Sequence, residues 1–259
     1  MQPNQSKFHG LALLIIICIL ILMPTRLFSG IPMQTQWIMV LLLLTIFTLI
    51  AGHWITGVFY GAFVNDRNRM SLSQIQLVLW TLLVLGTYLS AVFINLSFSV
   101  AQPLEITIPG ELWILMGIST TSLIGSPLLS SRKKGQKVDI HDEAKAMNVL
   151  SDQGRKPANL DANGGLIANK KPADAAWSEL FEADEISRAG RLDISKIQMF
   201  FFTLIIALVY ATALASSIAS VDKTGFRAFP EIDESMIALL GISHAGFLTS
   251  RAVPERENV

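Results

Sequence analysis

The sequence predicts an all-α, polytopic membrane bundle of about six transmembrane helices with a parallel internal repeat of helical hairpins. Three observations carry this expectation. Hydrophobic residues make up 51% of the 259 positions and charged residues only 15%, against roughly 25% charged in an average soluble domain. The apolar residues gather into long uncharged runs. One stretch, Ser73-Gln74-Ile75-Gln76-Leu77-Val78-Leu79-Trp80-Thr81-Leu82, returns 122 positions later as Ser195-Lys196-Ile197-Gln198-Met199-Phe200-Phe201-Phe202-Thr203-Leu204. Tyr88 and Tyr210, and Ala91 and Ala213, keep that offset. Leu115-Met116-Gly117-Ile118-Ser119 then matches Leu239-Leu240-Gly241-Ile242-Ser243 with a slip of two residues in the loop.

Residues 1–62 hold the first two spans. Leu11 to Met23 is an unbroken apolar run ended by Pro24. Its length suits a signal-peptide core, but the bulky Leu27 and Phe28 stand where cleavage needs small side chains. The expectation is an uncleaved helix, brought by Phe8–Gly10 and Thr25–Phe28 to about the 17–20 residues that span a bilayer. Whether residues 1–23 are retained is not decided by the sequence. The second span, Trp37 to Tyr60, carries Trp37, Trp54 and Tyr60 near its ends, as in interfacial aromatic belts. Its Gly57 and Gly61 have the spacing of a close helix crossing.

Residues 73–128 form the first hairpin repeat, with spans over about 73–96 and 109–128. Residues 195–250 form the second, with spans over about 195–219 and 235–248. Six spans place 17 of the 20 Lys and Arg residues on one side of the membrane and leave Arg26, Lys223 and Arg227 on the other. By the positive-inside rule both termini are expected to be cytoplasmic. The two hairpins share one orientation, so a pseudo-two-fold axis along the membrane normal would relate them.

Residues 129–194 form the one sizeable polar segment. It opens with Arg132, Lys133, Lys134 and Lys137, where anionic headgroups would lie. Its middle, Asp152 to Pro172, is rich in Gly, Asn, Pro and Lys and is expected to be flexible. In Ala175–Glu182, Trp177, Leu180 and Phe181 fall at helical spacing. They form either a juxtamembrane helix packed on the bundle or a docking surface for a cytoplasmic protein partner.

The repeated residues suggest roles of their own. Ser73 with Gln76, and Ser195 with Gln198, have capping-box spacing at helix starts. Gln74, Thr81, Tyr88 and Asn95 recur every seven residues, as do Lys196, Thr203, Tyr210 and Ser217. Seven residues are about two turns, so each set is one polar stripe. Ser119 with Ser126, and Ser243 with Ser250, extend the pattern. Such groups hydrogen-bond between helices or line a wet pathway. Gly117 and Gly241 would permit close crossings.

No Asp, Glu, Lys or Arg lies deep in a predicted span, unlike spans that carry a proton relay or ion site. His53 and His244 are the ionisable groups there, and His244 sits beside Ser243. A satisfied neutral histidine is the plain reading, and a pH-sensitive or ligand-contacting group the sharper one. Asp139-Ile140-His141-Asp142-Glu143 gathers potential metal ligands without a matching cluster elsewhere. Asp161-Ala162-Asn163-Gly164 lacks the glutamate of a calcium loop, since Pro172 stands at the twelfth position. A single Cys18 excludes an intrachain disulfide or a multi-cysteine zinc site. The zero net charge gives no footprint for nucleic acid. Phosphate-loop, zinc-protease and hydrolase-elbow motifs are all missing. No cofactor, metal site or catalytic set is therefore expected.

The cassette Ser-x-x-Gln-x-x-x-Trp/Phe-Thr-Leu, closed by Leu-Gly-Ile-Ser, resembles one in bacterial multi-span membrane proteins of uncharacterised function. The likeness covers residues 73–126 and 195–250 and implies no activity. The first two spans have no counterpart in it. The leading expectation is a non-enzymatic membrane protein in the lipid bilayer, acting as an oligomeric scaffold or an anchor for a cytoplasmic partner through 129–194. The alternative is a channel or transporter subunit with a pathway lined by Thr, Ser and Tyr.

Overall fold

A computed structural model describes residues 3–24, 30–135 and 138–252. Among these the chain forms seven α-helices and one antiparallel hairpin. In order they are α1 Pro3–Leu22, α2 Met33–Thr56, α3 Leu72–Ser97, α4 Gly110–Lys134, α5 Ile140–Asp152, β1 Leu160–Asn163, β2 Leu166–Asn169, α6 Ile194–Ala219 and α7 Glu234–Ala252. Four of these, α2, α3, α4 as far as Ser131, and α6, are long and apolar enough to cross a membrane. The extension of the first span into Thr25–Phe28 lies outside the described residues. By contacts the chain divides into two units: Met1–Ala62, Val78–Met116 and Leu204–Ile237 form one, and Phe63–Leu77, Gly117–Thr203 and Ala238–Val259 the other.

In the first unit, α1 opens on polar residues and is apolar from Leu11, and α2 is apolar over most of its length. Phe8, Leu11, Ile21, Ile38, Leu42 and Ile55 are exposed, as befits helices solvated by hydrocarbon. Trp37 departs from the aromatic-belt expectation. It is only 6% exposed because its indole N–H donates to Thr87 Oγ1 at 2.8 Å, which satisfies a polar atom that lipid cannot. The Gly57-x-x-x-Gly61 reading also changes. Gly57 caps the C-terminus of α2 with φ +81°, and its amide donates to His53 O at 2.9 Å. The chain then folds back through a 3-10 turn, Phe59–Phe63. There a Cβ on Gly61 would sit 1.9 Å from Thr56 Oγ1, so the pair stops and reverses a helix rather than forming one helix face. His53 Nδ1 lies 2.7 Å from His9 Nε2, and its ring stacks on Phe59 at 4.3 Å.

The second unit is built around the segment that links α4 to α6. Its middle is not structureless. β1 and β2 pair in register from Leu160 with Asn169 to Asn163 with Leu166. Leu160 and Ile167 of the hairpin bury with Ala146 and Leu150 of α5 and with Ile186. The polar composition conceals this because few apolar residues are needed when each one is buried. Gly164, in the turn, has φ +61°, and a Cβ there would lie 2.2 Å from Lys134 O. Only glycine fits both constraints. Asp139 caps α5, accepting from the His141 amide at 3.0 Å, which gives that acidic cluster a structural use.

Residues 175–182 form a 3-10 turn, Trp177–Leu180, rather than an amphipathic α-helix. Leu180 is buried, Phe181 meets Phe200 edge-on at 5.1 Å, and Trp177 is 58% exposed. The tighter winding turns Glu179 inward, where it is 0% exposed. Close crossings are also placed differently. A Cβ on Gly117 would meet nothing within 4 Å, and one on Gly241 would meet Ile118 Cδ1 at an ordinary 3.7 Å. The close approach in this unit is at Gly125, 3.1 Å from Leu248 Cδ2, and in the first unit at Gly86, 2.6 Å from Leu41 Cδ2.

The helix caps sit two residues ahead of the expected ones. The Ser71 hydroxyl accepts from the Gln74 amide at 3.4 Å. Asp193 Oδ1 accepts from Ser195 N at 3.0 Å and Lys196 N at 3.3 Å. Ser73, Gln76, Ser195 and Gln198 therefore lie inside the first turns of α3 and α6. Their capping-box spacing has no capping use there, because the helices have already begun. Gln198 is exposed.

Candidate functional site

The polar stripes are largely spent on hydrogen bonds within each unit. In the first unit the Tyr88 hydroxyl donates to Leu104 O at 3.2 Å, and the Tyr210 hydroxyl to Pro230 O at 3.1 Å. Each tyrosine thus ties a helix to the loop that follows it. Asn95 is fully buried and clamps a loop. Its Nδ2 donates to Pro103 O and Phe226 O, both at 3.0 Å, and its Oδ1 accepts from Phe226 N at 2.7 Å. Both polar groups of Phe226 are satisfied as a strand partner would satisfy them. Nearby, Thr107 pairs with Arg227 and Phe229 through main-chain bonds of 2.8 and 3.0 Å. Thr81 and Ser217 are half-buried.

In the second unit Gln76 Nε2 donates to Thr203 Oγ1 at 2.7 Å and to Met199 O at 3.2 Å, joining α3 to α6. His244 Nδ1 lies 2.5 Å from Ser122 Oγ. Ser119 Oγ, Ser243 Oγ and His244 Nε2 are buried without a hydrogen-bond partner. No group of three or more His, Cys, Asp or Glu among the described residues is arranged to hold a metal ion.

The largest polar assembly was not foreseen from the sequence. Residues 63–71 form a tight turn, closed by a bridge between Val64 and Met70. The Asn65 side chain accepts from the amides of Arg67 and Arg69 at 2.9 and 3.2 Å. Both arginines are buried, and so are Glu179, Asp184, Lys196 and Arg251. Glu179 accepts from the Met70 amide at 2.8 Å, from Asn169 Nδ2 at 2.7 Å and from Arg155. Asp184 meets Arg67 at 3.2 Å, Lys196 at 3.2 Å and Arg69 at 3.6 Å, and also contacts Arg251. Glu182 meets Arg69 and Arg155, each at 3.5 Å. Lys196 Nζ also donates to Glu179 O at 3.0 Å and Glu182 O at 2.6 Å. Asn169 closes the assembly onto the turn, donating from its amide N to Arg67 O and from Nδ2 to Asn68 O.

Burial is the largest influence on Asp184 and would raise its pKa. The positive charges of Arg251, Lys196, Arg67 and Arg69 together outweigh it and hold the carboxyl well below the usual carboxylate range. Burial also lowers Arg69, against the pull of Asp184 and Glu179. Buried charges of this kind are tolerable only when paired and hydrogen-bonded. Here the pairing is unequal. The linked set holds five cations, Arg67, Arg69, Arg155, Lys196 and Arg251, and three carboxylates, Glu179, Glu182 and Asp184. Arg69 Nη1 and Arg251 Nε have no hydrogen-bond partner.

Beside Arg67 lies a cavity of about 340 Å³, lined by residues of the 63–71 turn, the start of α3 and the end of α4. Trp177, Leu180 and Phe181 do not line it. The sequence displayed every charge in this assembly, but paired partners such as Arg69 and Glu179 lie about 110 positions apart, and no local spacing announces them. The available signal was reciprocity: Arg67-Asn68-Arg69 precedes one span, and Glu179, Glu182, Asp184 and Glu185 precede another. No protein-family model matches the chain, and neither a curated protein nor a solved structure is found to be similar to it.

Proposed function

We propose that the chain is a non-enzymatic integral membrane protein of a bacterial inner membrane, with six spans and cytoplasmic termini. It would act as an oligomeric scaffold or as an anchor for a cytoplasmic partner. The repeat enters this reading as two hairpins whose leading helices, α3 and α6, are each 26 residues long, and so does the resemblance to multi-span proteins carrying the same cassette. One observation carries the preference for a scaffold. Tyr88, Asn95, Thr203 and Tyr210 each direct their polar atoms to a partner within the chain, which is what packing glue does and a wet lining does not. The ion network adds a reason for rigidity, since it fastens the α4–α6 segment to residues at the ends of α3, α6 and α7. The exposed Trp177, Leu192 and Ile194 are the surface on this segment that a partner would cover.

A channel or transporter subunit is the second reading. The buried, partnerless atoms of Ser119, Ser243 and His244 favour it, because such atoms ordinarily meet water. Cysteine substitution at Thr81, Tyr88, Thr203 and Tyr210 in a Cys18→Ser background separates the two. The scaffold reading expects protection of all four from a membrane-impermeant thiol reagent, together with crosslinked oligomers or a co-purifying protein. Labelling along the stripe, with only monomer in crosslinking, would replace it with the pathway.

A further inference from the structure

We propose that the cavity beside Arg67 is a binding site for an anionic phosphoryl group, either of a phospholipid headgroup or of a soluble phosphate compound. This assignment does not depend on whether the protein is a scaffold or a channel.

The cavity is walled by Arg67, Ser71 and Ser73 on one side and by Ser126, Ser130 and Lys134 on another. Ser73 is 4% exposed and Ser130 is 3% exposed. Both residues line the cavity, and among the described residues no protein group bonds either hydroxyl, so each is open to what the cavity holds. Gln74 Oε1, at the same wall, is buried and partnerless. At about 340 Å³ the space is at the small end of ligand pockets and has room for a phosphoryl group with part of its substituent.

Charge selects an anion. Arg67 shares its carboxylate, Asp184, with Arg69, Lys196 and Arg251, so one negative charge serves four cations. The linked set carries an excess of two positive charges, or one if the neighbouring Asp193, which caps α6, is counted. Lys134 at the opposite wall is held by Asp66, which also lines the cavity and offsets that charge, so the positive excess comes from the network behind Arg67. Ser71 and Ser73 also stand at the N-terminus of the 26-residue α3, whose amides present the positive end of the helix dipole. The guanidinium of Arg67 is turned to Ile167 O and Asp184, so Arg67 acts on the cavity through its charge. The ammonium of Lys134 and several hydroxyls from α3 and α4 suit a tetrahedral, multiply charged oxyanion better than a single-atom anion. A bound phosphoryl group would satisfy the idle hydroxyls and the surplus charge together.

The test uses the full-length chain and a Ser73→Ala/Ser130→Ala variant, which leaves every ion pair of the network intact. Thermal unfolding is followed in detergent with added inorganic phosphate, and in nanodiscs of phosphatidylglycerol or of phosphatidylcholine. Sodium chloride at matched ionic strength is the control. The expected result is a rise in unfolding temperature with the phosphoryl anion beyond that with chloride. The apparent affinity should fall by at least about tenfold in the variant, the scale of losing one hydrogen bond to a charged group. A response to phosphatidylglycerol nanodiscs alone supports the site and names a lipid headgroup as its source. A response to inorganic phosphate in detergent supports it and names a soluble phosphate. Equal responses to chloride and phosphoryl probes, or a variant indistinguishable from the native chain while its unfolding remains cooperative, would overturn the assignment.

Discussion

Glu179 shows what a single side chain does here. With a methionine amide, an asparagine amide and two arginines around one fully buried carboxylate, removing it leaves the Met70 amide and Asn169 Nδ2 without this acceptor and widens the excess of buried positive charge. Glu179→Ala is expected to cost about 3–5 kcal/mol, the range for breaking a buried pair from one side, read as a loss of denaturant resistance in detergent. Asp184 supplies the pH dependence. Its pKa in the folded chain lies below its unfolded value, so the stabilisation is fully present above the unfolded value. It is lost as pH falls through the folded one. The unfolding temperature should therefore stay level, as far as this group decides it, from neutrality down to about pH 5, and fall only in acid below the ordinary carboxylate range near 4. Asp184→Asn should remove that acid limb and lower the plateau. Asn95 acts through neutral bonds alone. Asn95→Ala leaves the buried main chain of Phe226 without partners, and faster hydrogen exchange at the 222–230 loop is the expected sign.

Among the elements, the starts of α3 and α6 separate what spacing tells from what it does not. The long apolar runs of α2, α3, α4 and α6 were legible because hydrocarbon demands them. The caps were misplaced by two residues because Ser73-x-x-Gln76 satisfies the capping pattern equally well inside a first turn. Asp193, not Ser195, receives the first amides. Asp193→Ala is expected to cost roughly 0.5–2 kcal/mol and Ser195→Ala close to nothing, a contrast that paired denaturation curves can read. The hairpin went unseen for a different reason. Gly164-Gly165 between Leu160-x-Ala162 and Leu166-Ile167 is a recognised hairpin signal, but the surrounding Lys, Asn and Pro outweigh it in any compositional judgement. Substituting Gly164 by valine places a Cβ against Lys134 O at an unfavourable φ. Proteolytic nicking between 152 and 172 should then appear where the native chain resists.

For the molecule as a whole, the charge count bears on topology and not on pairing. It motivated a topology through 17 basic residues proposed for one side, and reporter fusions at residues 68, 103, 150, 226 and 252 test it. The proposed topology expects the fusions at 68, 150 and 252 to report one compartment and those at 103 and 226 the other. The same count gave no sign that Arg67, Arg69 and Arg251 are buried against Asp184. Net charge says nothing about pairing between positions far apart in the chain, and the network consists of such pairs. For the same reason Trp177, Leu180 and Phe181, grouped by helical spacing, divide into one exposed, one buried and one half-buried residue.

That separation along the chain is also an interval in time. Arg69 leaves the ribosome 110 residues before Glu179, which at about 5–20 residues per second is roughly 5–20 s. Through that interval the arginines of the 63–71 turn lack the carboxylates they are buried against. On the proposed topology they would count as free positive charges while the spans insert and become structural ions only after the acidic segment arrives. On that topology one pair of side chains would serve biogenesis first and architecture second, the later burial fixing the outcome of the earlier choice.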